Sequence, residues 1–126
     1  MKLRVTAAIV LITLSVGFAL YCLLRIESSA RELTQALETA MAAALSESPE
    51  WEAATGEVVR LWQRERSFMH ILLPHVNLNE LEWAIGSLPR FLEQGDANMF
   101  VEMCVRGLQC VNTIREMERP TLGNIF

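Results

Sequence analysis

The chain has 126 residues, of which 52% are hydrophobic, and a formal net charge of −4 at pH 7. Beyond residue 24, nine arginines stand against fifteen acidic side chains, and this negative charge excludes a nucleic-acid-binding protein that works through a basic patch. The roughly 100 residues of this part allow one small domain.

Residues 5–24 form an apolar segment without any charged side chain. A helix of about 20 residues rises about 30 Å, which matches the hydrocarbon core of a bilayer, so the segment is predicted to span a membrane. The alternative is a signal peptide, cleaved near Ala30 to release a secreted protein. The apolar core of a signal is shorter and is not followed at once by charges such as Arg25 and Glu27, so the pattern favours a retained anchor.

Basic residues set the expected orientation of the segment. Lys2 and Arg4 precede it, whereas the arginines that follow it are interleaved with glutamates. Because basic residues stay on the cytoplasmic side, the N-terminus is predicted to be cytoplasmic and the rest of the chain extracytoplasmic, at the cell membrane. The first predicted partner is therefore membrane lipid, along residues 5–24.

Apolar residues after this segment recur every three or four positions, which predicts that one helix continues out of the membrane to about Glu47. The members of this stripe are Ile26, Ala30, Leu33, Leu37, Ala40 and Ala44. The stripe either packs within the chain's own bundle or pairs two copies of the chain as a coiled coil.

The second helix is predicted to start at residues 48–50, Ser-Pro-Glu, with Ser48 as the cap and Pro49 at the first helical position. Its apolar stripe is interrupted by Glu65. This carboxylate either pairs with an arginine such as Arg31 inside the bundle or faces solvent. The cost of burying an ion pair favours the solvent-facing position.

Two more helices follow. Residues 77–80, Asn-Leu-Asn-Glu, have the spacing of a capping box and predict the start of the third helix, in which Pro89 predicts a kink. Gly95 predicts the end of the third helix and Asp96 predicts the start of the fourth, which is expected to end at Pro120.

These elements predict an all-α protein, in which an N-terminal transmembrane helix continues into a small antiparallel up-and-down bundle of about four helices. The expected organisation is an anchor at residues 1–24, a helical bundle at residues 25–119 and a C-terminal tail at residues 120–126.

Several short motifs follow one another along the chain: Trp51-Glu52, Trp62, His75, Asn77, Glu80 and the Asn-Ile-Phe of residues 124–126. In these motifs the chain resembles a bacterial family numbered 4363 among the domains of unknown function, found mainly in clostridial-type Gram-positive organisms. Pro89 departs from the family pattern. The resemblance implies a single-pass membrane protein, an accessory subunit beside polytopic membrane proteins of sporulating bacteria, and no particular activity.

Candidate residues for chemistry are few. His70 and His75 are the only histidines, and their spacing of five does not place them on one helical face, so no metal site is predicted from them. The glycines form no phosphate-binding loop, and no nucleophile lies in a recognisable arrangement with a histidine and an acid. We therefore expect neither a cofactor nor catalytic activity.

The aromatic residues and the tail offer candidates for contacts with partners. Trp51 and Trp62 fall on or beside the buried stripe of the second helix and are predicted to be core. The candidates for interaction are Trp83, His75, Asn124, Ile125 and Phe126.

Taken together, the sequence predicts a non-catalytic interaction or accessory subunit of a membrane or envelope complex, whose partner is another membrane protein or a second copy of the chain. The alternative is a secreted or tethered helical domain that binds a ligand or a metal.

Overall fold

The computed structural model describes residues 1–73 and 75–118, and this part of the chain is almost entirely helical. It contains four helices and no strand, which confirms the predicted all-α class. The helices are α1 (Lys2–Leu45), α2 (Trp51–Leu72), α3 (His75–Gln94) and α4 (Ala97–Glu118).

The helices form an up-and-down bundle. Each helix packs against the one that follows it, and α4 returns beside α1, so that the ring closes. The largest fully buried side chains come from all four helices: Phe100, Leu33, Leu37, Met69, Leu78, Leu81, Ile85, Leu88, Val58 and Val111. The predicted stripe of α1 is thus buried by the chain's own helices, and its leucines are not available to pair two copies.

Helix α1 is twice as long as its partners. Its 44 residues correspond to about 66 Å, whereas the 22 residues of α2 correspond to about 33 Å. The buried positions of α1 begin at Cys22, so the bundle covers only its second half.

Gly107 allows α4 to approach α1 closely. A β-carbon at this position would lie 3.3 Å from Cδ1 of Leu37, which is tighter than an ordinary contact. The glycine of α4 therefore makes room for a fully buried leucine of α1.

The turn between α1 and α2 differs in detail from the prediction. Glu47 adopts a left-handed conformation (φ 50°), and the Ser48 N–H donates a hydrogen bond of 2.9 Å to the Ala43 carbonyl. Helix α2 then begins at Trp51, so the start predicted at Pro49 is wrong by two residues. The Ser48 hydroxyl oxygen accepts a bond from the Glu50 N–H at 3.2 Å, and thus orders the turn before the helix.

The capping box predicted at residues 77–80 is also wrong, because α3 already begins at His75. Leu78 is completely buried against the bundle, and this packing holds the preceding residues helical. Asn77 therefore lies in the first turn, where its side-chain amide donates to the Met117 sulfur at 3.2 Å.

Helix α3 continues through Pro89 to Gln94. Leu88 and Phe91 are buried on either side of the proline, and their packing stabilises the helix across the missing backbone bond. The kink at Pro89 stays a prediction.

The turn between α3 and α4 confirms its prediction. Gly95 adopts φ 69°, and the Asp96 N–H donates to the Phe91 carbonyl at 2.9 Å, which closes α3. The Asp96 carboxylate accepts a bond from the Met99 N–H at 3.1 Å and caps α4.

Candidate functional site

The first half of α1 exposes apolar side chains around its whole circumference. The large apolar side chains between Leu3 and Leu20 are 50–84% exposed. The helix is long and apolar enough to cross a membrane, and only 6% of its most apolar stretch of 18 residues is buried. Since a core helix would be covered by its neighbours, this half of α1 is a candidate membrane span.

The two threonine hydroxyls within this half are satisfied locally. The hydroxyls of Thr6 and Thr13 donate hydrogen bonds of 2.8 Å to the carbonyls of Lys2 and Ile9, four residues earlier. Such bonds remove the cost of placing a hydroxyl in an apolar medium.

A buried carboxylate lies where the exposed half of α1 meets the bundle. Glu65 of α2 is only 6% exposed, so the expectation that it faces solvent is wrong. Its two oxygens accept hydrogen bonds from Arg25 at 3.4 Å and from Arg64 at 3.0 Å. Two guanidinium groups offset the cost of burying this charge, and the partner on α1 is Arg25 rather than the exposed Arg31.

Arg25 is held on its other side by an aromatic ring. Its guanidinium carbon lies 4.0 Å from the centroid of the Phe68 ring, a cation–π contact. Arg25 is the first charged residue after the apolar segment, and these contacts place its charge against α2.

Two further ion pairs join α1 to its neighbours near this level. Arg64 also pairs with Glu32 of α1. Arg115 of α4 donates hydrogen bonds to Glu27 of α1 from Nε and Nη2 of its guanidinium group, and this hydrogen bonding raises the pKa of Arg115. We call Arg25, Glu27, Glu32, Arg64, Glu65 and Arg115 the collar of the bundle.

The collar was not predicted as a site. The only signal in the sequence was Glu65 within an apolar stripe, because a charge at a core position demands a partner. The identity of the partners depends on how α1 and α4 lie against α2, which the sequence does not state.

The histidines are not brought into a metal site in the described part of the chain. His70 Nε2 lies 3.9 Å from a Glu82 oxygen that α3 contributes, and Glu82 also pairs with Arg66 at 2.5 Å. Among the described residues, no three His, Cys, Asp or Glu side chains lie close enough to hold a metal. The side chain of His75 lies outside the described part.

The tryptophans divide as predicted. Trp62 is 4% exposed, and Trp51 meets Phe100 edge-on at 5.2 Å between ring centroids. Trp83 on α3 is 55% exposed, with the guanidinium of Arg106 from α4 at 5.8 Å. Trp83 is therefore available to a partner, whereas the other interaction candidates, Asn124, Ile125 and Phe126, lie outside the described residues.

The thiols of the bundle are buried side chains of the core. Cys104 and Cys110 of α4 are free thiols, and neither is bridged to the other. Burial raises the pKa of the Cys104 thiol to about 12 and also raises that of Cys110, where Glu80 adds to the effect. A thiol in this state is a poor nucleophile at neutral pH.

Comparison with known proteins gives one match. A family model, described as domain of unknown function (DUF4363), matches residues 20–125, which include the end of the apolar segment and the whole bundle. No curated protein and no solved structure matches the chain. Since the family model covers more than half of the sequence, the chain belongs to the DUF4363 family.

Proposed function

We propose that the protein is a single-pass protein of the cell membrane and acts as a non-catalytic interaction subunit of a membrane or envelope complex. Residues 5–24 lie in the bilayer, the N-terminus is cytoplasmic, and the bundle lies outside the cytoplasm. Its partner is a second membrane protein or a second copy of the chain.

The observation that carries the proposal is the continuity of α1. One helix, Lys2–Leu45, is apolar and exposed up to Tyr21 and is packed into the bundle from Cys22 onward. A continuous helix has no hinge between its two halves, so a partner that binds the span also fixes the position of the bundle.

The charges near the ends of the span support the orientation. Lys2 and Arg4 stand on one side of it, whereas on the other side Arg25 is paired with Glu65 and Arg115 with Glu27. Within four residues of the span, its first end has Lys2, Arg4 and the N-terminal amine and its second end has Arg25 alone, and this difference in basic groups favours a cytoplasmic N-terminus.

The non-catalytic role is supported by what the chemically capable side chains do. The buried carboxylate of Glu65 accepts bonds from two arginines, and the thiol of Cys104 is held protonated by burial. Both groups serve the packing of the bundle.

Membrane extraction tests the anchor. The full-length protein should remain in the membrane fraction after alkaline carbonate treatment, with residue 5 still present in its N-terminal sequence. Recovery in the soluble fraction with an N-terminus near Arg31 would instead identify a cleaved signal and a secreted bundle.

Topology is tested with a membrane-impermeant maleimide on intact cells. A cysteine introduced at Glu93, which is exposed on the bundle, should react, and one introduced at Lys2 should react only after lysis. The native protein provides the background reading, because Cys22, Cys104 and Cys110 are buried. The reverse pattern would refute the orientation.

Photo-crosslinking tests the interaction role. A photoreactive residue at Phe18 in the span or at Trp83 on α3 should give an adduct of discrete mass in membranes, and that mass distinguishes a second copy from a different protein. Leu45 at the far end of the bundle is a matched control, since it is 67% exposed. Equal labelling at all three positions contradicts a specific partner.

A further inference from the structure

Exposed apolar side chains of the bundle are concentrated at one of its ends. In the described part after residue 24, the large apolar side chains left exposed are Leu45, Ile71, Leu72, Val76, Trp83, Val105 and Met117. Four of these seven lie where α2 ends, α3 begins and α4 ends. We call Ile71, Leu72, Val76 and Met117 the basal patch.

All four residues of the basal patch are exposed, from 37% at Leu72 and 51% at Met117 to about 80% at the other two. Ile71 is 81% exposed and Val76 is 80% exposed, although each belongs to a helix that buries its other face. Side chains of this kind normally lie in a core, and an apolar group of them on a surface marks contact with a partner or a membrane.

The contacts of Arg25 fix the level of the basal patch along α1. The Arg25 guanidinium touches Glu65 at 3.4 Å and lies over the Phe68 ring. Helix α2 runs back along α1, and Ile71 follows Phe68 by three residues, or about 4.5 Å. The end of α2 therefore lies beyond Arg25 on the side of the apolar segment, level with its last turn.

Helix α4 reaches the same level. Arg115 pairs with Glu27 of α1, and Met117 follows it by two residues, or about 3 Å towards the apolar segment. Tyr21 in the last turn of that segment is 54% exposed. Tyrosine is enriched at the depth of lipid headgroups, so this level is an interfacial one.

The charges at this end of the bundle favour apolar contact with lipid over attraction to anionic headgroups. Within residues 1–73 and 75–118, the arginines nearest this end, Arg25, Arg66 and Arg115, are each paired with a glutamate. The chain after residue 24 has six more acidic than basic side chains. A neutral, zwitterionic lipid surface fits such an end better than an anionic one.

We infer that the basal patch is a second membrane contact, in which the ends of α2, α3 and α4 rest in the lipid interface beside the emerging α1. This inference rests on the proposed anchor, since α1 holds the patch at the bilayer. Insertion extends over roughly 5–10 Å, the depth reached by interfacial helices. With two separate contacts, the bundle is held in one orientation relative to the membrane surface.

The test uses the full-length protein in phosphatidylcholine vesicles and an environment-sensitive fluorophore on single introduced cysteines. Ile71→Cys and Val76→Cys report on the basal patch, and Leu14→Cys reports on the span. Leu45→Cys is the matched control, because Leu45 is exposed to a similar extent at the opposite end. All four positions are exposed, so the substitutions leave the core intact.

Lipid with a shallow nitroxide should quench the fluorophore at residues 71 and 76 several-fold more than at residue 45, and lipid with a nitroxide deep in the acyl chain should quench it at residue 14, the midpoint of the span. Equal quenching at residues 45, 71 and 76, with strong quenching at residue 14, would overturn the basal contact and leave the anchor in place. A blue-shifted but unquenched signal at residues 71 and 76 would mean that protein covers the patch, which also refutes lipid as the occupant. Failure of quenching at residue 14 would refute the anchor and the basal contact with it.

Discussion

The buried carboxylate of the collar makes a strong prediction for stability. In the variant Glu65→Gln the side chain keeps its size but loses its charge, and Arg25 and Arg64 lose the ionic partner that α2 provides. Arg64 retains its pair with Glu32, so the main cost falls on Arg25, which stays against Phe68 without a counter-charge.

The size of the effect follows from the burial of the two partners. Breaking a fully buried ion pair costs about 3–5 kcal/mol. Glu65 fits this case, with a side chain that is 8% exposed, but the Arg25 side chain is 37% exposed and water screens it in part. We therefore expect the free energy of unfolding to fall by about 2 kcal/mol, between the buried and the surface limits.

The measurement is urea unfolding of the full-length protein in mild detergent, followed by tryptophan fluorescence, because the buried Trp62 reports on the bundle rather than on the span. With a slope of about 2 kcal/mol per molar urea, the midpoint should fall by about 1 M. The matched control is Glu57→Gln, which breaks an exposed pair with Arg60 and should leave the urea midpoint almost unchanged, because water screens this pair.

A double-mutant cycle with Arg25→Gln assigns the effect to the pair. The coupling energy between residues 25 and 65 should reach about 1 kcal/mol, since they share a charge-assisted hydrogen bond. If Glu65→Gln destabilises the bundle no more than Glu57→Gln does, the collar does not hold α1 against α2, and the reasoning fails.

Further predictions concern the backbone and the core, with stability measured by the same urea assay. Gly56→Ala on the open face of α2 should stabilise by up to about 1 kcal/mol, whereas Gly107→Val should destabilise by about 1–3 kcal/mol, because its side chain would displace Leu37. Equal effects at the two glycines would contradict the close approach of α4 to α1. Glu47→Gly should stabilise by about 1 kcal/mol through relief of the left-handed backbone, and a loss of stability would show that the turn is not strained. The raised pKa of Cys104 predicts that this thiol resists iodoacetamide at pH 8 until the bundle unfolds. The pKa of the Cys104 thiol is about 12 in the folded protein and 9.0 in the unfolded chain, so the contribution of this thiol to the free energy of unfolding should be complete below about pH 9 and lost as the pH rises towards 12. A contribution that does not change between pH 9 and 12 would contradict burial of the thiol.

The positions of the helices were largely readable from the sequence. The stripe of α1 from Ile26 to Ala44 and the turn at Gly95 and Asp96 agree with the structure. These features are local, because they depend on residues within a few positions of one another. They are the helical periodicity, a glycine that permits positive φ and a carboxylate that caps a helix. Trp83, which the sequence indicates as a candidate for contact with a partner, is 55% exposed.

Predictions that depended on one helix lying against another were less reliable. Helix α3 begins at His75 rather than after a cap at Asn77, because burial of Leu78 extends the helix beyond its local signal. Glu65 was expected to face solvent, since a cost argument without known partners weighs against burial. The structure places Arg25 and Arg64 on its two oxygens, which reverses that balance.

The sequence by itself determined that the chain is helical, that residues 5–24 match a bilayer in length and polarity, and which faces of the later helices are apolar, because each of these depends on spacing along the chain. Only the tertiary structure decided which charges meet in the collar and that exposed apolar residues from three helices gather beside the last turn of the apolar segment. Glu65 and Arg25 are forty residues apart in sequence, and Met117 is forty-one residues from Val76. Their proximity depends on the lengths and offsets of packed helices, which no local pattern specifies.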